Sequence, residues 1–184
     1  MVASIEAKCA SDFWEFNCDL PQKGTVMTRV ETEHNLKEST ITKIQDLIRA
    51  NIDAYDGFHE SADEINDEDL ALLFRQIATD RSTLASELQE FVTWNGEEAA
   101  KEGTVAAGVH RAWINIRSKL SGGDAYVILA EAERGEDHIK RAYEDVLKET
   151  AGSPLNHVLL QQYVIVKSGH DQVRDLRDIY KAKK

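Results

Sequence analysis

ITKIQDLIRANIDAYDGFHESADEINDEDLALLFRQIATDRSTLASELQEF, residues 41–91, decides the fold. Its apolar side chains fall at Ile41, Ile44, Ile48, Tyr55, Phe58, Ala62 and Ile65, and that spacing of three and four lays one stripe along one face of a helix. Asp53, Asp56 and Glu60 fall on the opposite side. The stripe breaks at Asn66-Asp67, where Asn66 can end one helix and Asp67 can cap the next. A second stripe then runs through Leu70, Leu73, Phe74, Ile77, Leu84, Leu88 and Phe91 and closes at Asn95-Gly96. Two amphipathic helices with so short a connection predict an antiparallel hairpin.

The pattern repeats downstream. A third stripe joins Leu129, Ala132, Ile139, Tyr143 and Val146, and after Gly152-Ser153-Pro154 a fourth joins Leu155, Leu159, Val166, Val173, Leu176 and Tyr180. Ser153 reads as the N-cap of that fourth helix, with Pro154 at its first position. Both prolines, Pro21 and Pro154, lie outside residues 38–150, so none interrupts the stretch. Between Gly96 and Gly123 the chain holds a shorter helical piece, residues 109–120, expected to ride on a crossover. Four helices of about 25 to 30 residues, joined short, long, short, predict an all-α four-helix bundle over residues 38–181. Residues 1–37 carry no sustained period and are expected to be an irregular or disordered extension. Phe13, Trp14 and Phe16 form a lone aromatic cluster there. Met27 opens a shorter chain with all four helices and neither cysteine, so a misassigned start is one reading of this extension.

The 184 residues are 42% hydrophobic and 30% charged, with a formal net charge of −11. Such a chain can bury its own core without a disulfide framework or structural zinc. Cys9 and Cys18 form no CxxC and have no histidine pair beside them, which points to a reducing compartment. The acidic balance argues against duplex DNA and anionic membrane as partners. No apolar run approaches the ~20 residues of a membrane helix. Glu6, Asp12, Glu15 and Asp19 stand where a signal peptide would be apolar. The expectation is a cytoplasmic protein with no nucleic-acid and no membrane partner.

Polar residues inside the stripes carry the remaining information, because a purely structural seam stays apolar. They are Asn51 on the first helix, Asp80 and Arg81 on the second, Glu133 and Glu136 on the third, and Gln162 and His170 on the fourth. Folding each hairpin at its turn brings Asn51 level with Arg81, and Glu136 level with residues 167–170. Gly57, Gly135 and Gly169 interrupt helix interiors at a cost of about 1 kcal/mol each relative to alanine. Room for a side-chain network explains them, and so does close helix packing without function. His59, His110, His138 and His157 have no partner at metal spacing and read as surface residues. No nucleophile elbow, phosphate-cradling glycine loop or triad spacing occurs, so no catalytic residue is expected. Trp94 and Trp113 fit packing of the crossover over the bundle end, or a self-association surface in a homodimer.

Asp53-Ala54-Tyr55-Asp56-Gly57-Phe58, His110-Arg111-Ala112-Trp113, Glu133-Arg134-Gly135-Glu136-Asp137 and His170-Asp171 together resemble a bacterial family of ferritin-like four-helix-bundle proteins assigned as a domain of unknown function. The resemblance covers residues from about 38 to 180 and implies a ferritin-like topology, two antiparallel hairpins joined by a long crossover. In di-iron members of that superfamily one Glu from each of two helices and a Glu-x-x-His from each of the other two hold the metal. On that pattern Asn51 stands at the first-helix Glu position, with Phe58 seven residues on. Glu136 fits the third-helix Glu and His170 the fourth-helix His. Lys167 stands where the Glu of that last motif belongs, and the second helix offers Asp80-Arg81-Ser82-Thr83-Leu84 without a histidine. Arg81 and Lys167 in the same layer would repel a di-iron pair. Two readings stand. One is a non-catalytic, cofactor-free bundle, an interaction or stress-associated protein, whose middle layer is a network of Asn51, Asp80, Arg81, Glu133, Glu136, Lys167 and His170 with Glu136 paired to Arg81 or Lys167. The other is a di-iron oxidase or storage protein with Glu136 and His170 on iron.

Overall fold

In a computed structural model of the chain, residues 30–104 and 124–183 are described. They hold four helices, α1 (Glu38–Glu64), α2 (Glu68–Trp94), α3 (Ala125–Glu149) and α4 (Asn156–Ala182), and no strand beyond one isolated bridge between Thr32 and Asn35. All four belong to one compact unit, Glu31–Lys184; Met1–Val30 is a second unit, of which only Val30 is described. None of the described helices is long and apolar enough to cross a membrane. The expected helical piece at 109–120, with His110 and Trp113, lies outside the described residues. So do Cys9, Cys18, the aromatics at 13–16 and Met27.

Each helix buries the stripe its sequence carries. Ile44, Leu47, Ile48 and Phe58 of α1, Phe74, Leu84 and Leu88 of α2, Leu129, Ala132 and Tyr143 of α3, and Leu159, Val166 and Val173 of α4 share one core. Phe58 and Phe74 meet edge to face at 5.1 Å within the first hairpin. Packing is most extensive inside the two hairpins, α1 with α2 and α3 with α4.

The caps differ in detail from the sequence reading. Asp67 takes the expected role, its carboxylate accepting from the Leu70 amide at 3.1 Å. α1 ends at Glu64 with Ile65 as its C-cap, so Asn66 lies in the connection. α4 starts at Asn156 rather than at Pro154. The Ser153 carbonyl accepts from the Asn156 amide at 3.1 Å, so Ser153-Pro154 builds a turn that seats the fully buried Leu155 in the core before the helix begins.

Two segments without helical period are tied down by side chains. Asn95, at the end of α2, accepts from the Leu36 amide at 2.7 Å and donates to the Glu33 carbonyl at 2.7 Å. Glu31 accepts from the Lys37 amide and the Thr40 hydroxyl, and Leu36 is buried. Past Gly96, whose φ of +79° suits glycine, residues 97–104 lie as a strap on the first hairpin. Gln45 donates to the Glu98 carbonyl and accepts from the Ala100 amide, and Gln89 donates to the Ala100 carbonyl. Asp53 accepts from the amide and hydroxyl of Thr104. A side chain on Gly103 would collide with the Asp53 carboxylate.

Candidate functional site

Arg81 of α2 and Glu136 of α3 form the centre of the polar layer. The Arg81 Nη2 donates to Glu136 Oε2 at 2.5 Å, and both side chains are 1% exposed. Gly169 of α4 gives them room: a Cβ there would lie 3.1 Å from Arg81 Nη2 and 3.2 Å from Glu136 Oε2. Burial raises the Glu136 carboxyl above its ordinary value, and the adjoining Arg81 charge works against that shift. Arg81 Nε and Glu136 Oε1 are buried without a hydrogen-bond partner among the described residues.

A second polar line crosses the core through Tyr143. Asn51 of α1 donates to the Tyr143 hydroxyl at 2.8 Å and to the Leu47 carbonyl at 2.9 Å. The Tyr143 hydroxyl donates to Gln162 Oε1 at 2.9 Å. The Gln162 amide reaches α2, donating to Glu87 at 2.8 Å and to the Leu84 carbonyl at 3.4 Å. This chain of bonds touches all four helices. Complete burial pushes the Tyr143 phenol far above its ordinary value, so it serves here as a neutral hydrogen-bonding group.

The two lines separate residues that the sequence reading placed together. Asn51 bonds to Tyr143, and Arg81 bonds to Glu136. His170 is buried, but its ring spans Asp137 on α3, at 3.0 Å from Nε2, and Asp171, at 3.2 Å from Nδ1. Lys167 does not enter the layer: its side chain is 50% exposed and pairs with Asp171 at 2.5 Å. Val166, Gly169, His170 and Val173 face inward on α4, which turns Lys167 out. Asp80 likewise stands beside the inward Ile77, Arg81 and Leu84 and accepts from Gln76 at 2.9 Å on the surface. Glu133 pairs with Arg177 across the second hairpin. Trp94 is 47% exposed and rests on Phe91 and His34. Glu87 escaped the sequence reading, and the polar roles of Tyr143 and Asp137 did too; Tyr143 keeps the apolar period, and only its hydroxyl marks it as polar.

Among the described residues, no three His, Cys, Asp or Glu side chains converge in a way that could hold a metal ion. A cavity of about 380 Å³ lies apart from the ion pair, between Tyr55 and Asp56 of α1, Ser82 and Gln89 of α2, and the strap at Lys101 and Gly103. Burial, with Glu60 and Asp53 nearby, raises the Asp56 carboxyl.

No curated protein matches this sequence. The profile of one family matches residues 39–149, which spans α1, α2, the strap and all of α3 and so includes Asn51, Arg81, Glu136 and Tyr143. With more than half of its length matched, the chain belongs to the family described as a domain of unknown function, DUF2383.

Proposed function

We propose that the protein is a non-catalytic, ferritin-like helical bundle, an interaction or stress-associated protein of the bacterial cytoplasm, in which a protein cation fills the place of a metal centre. One observation carries this reading: the Arg81 guanidinium sits on the Glu136 carboxylate in the middle of the core, with both side chains buried. The residues of the layer do not fit a di-iron pair. A charge of the same sign as the metal already neutralises its best carboxylate, Asn51 replaces another with a neutral amide bonded to Tyr143, and the His170 ring is held by Asp137 and Asp171. Elemental analysis after expression in iron-supplemented medium tests the reading. No stoichiometric iron is expected. Two irons per chain, lost on Glu136→Ala, would favour the di-iron oxidase or storage alternative with Glu136 and His170 as ligands. Self-association into a homodimer belongs to the same proposal, and the half-exposed Trp94 motivates it. Light scattering coupled to size exclusion should give twice the chain mass, and a strict monomer at high concentration counts against it.

A further inference from the structure

The contacts between the two hairpins are uneven. α1 packs against α3, whereas α2 and α4 touch least of the contacting helix pairs. α4 meets α2 where Gly169 faces Arg81 and Ile77. Along that edge Gln162 of α4 donates to the Leu84 carbonyl and to the exposed Glu87 of α2, and Arg81 reaches past Gly169 to Glu136 on α3. Arg81 Nε and Glu136 Oε1 have no partner there among the described residues. A buried charge loses hydration that its partner restores only in part, and an unpaired buried polar atom loses it outright. Parting α2 from α4 returns these groups to water. The apolar packing inside each hairpin, and the contact of α1 with α3, need not break. Parting the edge also exposes apolar side chains such as Ile77, but the hydration of the polar groups offsets part of that cost, and the sparse α2–α4 contact makes large motion cheapest here.

We propose that the native protein opens like a book, with α1 and α3 as its spine and α2 and α4 as its free edge. Opening hydrates Arg81 and Glu136 while both hairpins stay folded. The motion goes beyond the reading above but rests on the same Arg81–Glu136 pair; thiol labelling tests it separately from the iron content that tests that reading.

Two single-cysteine proteins test it, with Cys9 and Cys18 replaced by serine. Ile77→Cys probes the free edge, and Asn51→Cys probes the spine, where Asn51 meets Tyr143; both positions are buried. Without denaturant, 5,5′-dithiobis(2-nitrobenzoate) should label Ile77→Cys at least about tenfold faster than Asn51→Cys, and faster than the same protein unfolds by circular dichroism. Adding Arg81→Met with Glu136→Met removes the charges that gain from hydration and should slow labelling at the edge. Equal labelling at the two positions, or labelling of Ile77→Cys no faster than global unfolding, overturns the proposal. Should Ile77→Cys fail to fold, Gln162→Cys, facing Leu84 and Glu87 across the same edge, takes its place under the same criteria.

Discussion

A guanidinium and a carboxylate buried together at 2.5 Å hold each other because neither has water to turn to. Attraction between them mainly offsets the desolvation of both, so the pair matters more when broken than when whole. Glu136→Gln leaves Arg81 charged and unpaired, and is expected to cost about 3–5 kcal/mol of stability in urea unfolding. Arg81→Met combined with Glu136→Met should instead be neutral or stabilising by about 1–4 kcal/mol, because well-packed apolar side chains carry no desolvation cost. A loss as large as that of the single variant would mean that the pair stabilises the fold outright. Gly169 extends the argument. Alanine gains about 1 kcal/mol over glycine inside a helix, yet its Cβ would press on Arg81 and Glu136 at 3.1 and 3.2 Å. Crowding in a packed core costs about 1–3 kcal/mol, so Gly169→Ala should lower the melting temperature despite its better helix propensity.

Among the elements, α4 carries both an inner and an outer polar face. On the inner face Gln162 needs the Tyr143 hydroxyl as a donor. Tyr143→Phe keeps the ring in the core but leaves the Gln162 oxygen and one Asn51 donation unmet, at an expected cost of about 1–3 kcal/mol by chemical denaturation. On the outer face Asp171 gathers Lys167, His170 and Arg174. Chiefly through the hydrogen bond from Lys167, its carboxyl is held down at about 2, against 3.8 in an ordinary setting. The folded value is the lower one, so the stability Asp171 adds is complete above about pH 4 and is lost as pH falls towards 2. The side chain is partly exposed and screened, so the effect is modest. Thermal melts between pH 5 and pH 2 should lose part of their slope in Asp171→Asn, and an unchanged slope would assign the acid sensitivity to other carboxylates.

For the molecule as a whole, four helices were legible because burying an apolar face imposes the period that Ile44, Phe58, Leu84 and Val166 display. Asn51, Arg81, Glu136, Gln162 and His170 were legible as interruptions of it, and all five are buried. Rotation was not legible. Adjacent positions on a helix point about 100° apart and positions three apart about 60°, so Arg81 against Asp80 and His170 against Lys167 were decided by packing that no single stripe contains. Segments without a period escaped for a related reason: residues 31–37 look irregular because side chains of other segments, above all Asn95, satisfy their backbone. That segment gives the last prediction. A chain starting at Glu31 retains the Glu31 bonds to Lys37 and Thr40, the Asn95 clasp and the burial of Leu36. Starting at Glu38 removes a buried leucine, worth about 1.5–3 kcal/mol, and hydrogen bonds worth about 0.5–1.5 kcal/mol each. The shorter chain should therefore unfold at lower urea, by about 3 kcal/mol in stability. Equal midpoints would mean that residues 31–37 lie on the helices without holding them, and that Asn95 is as well served by water.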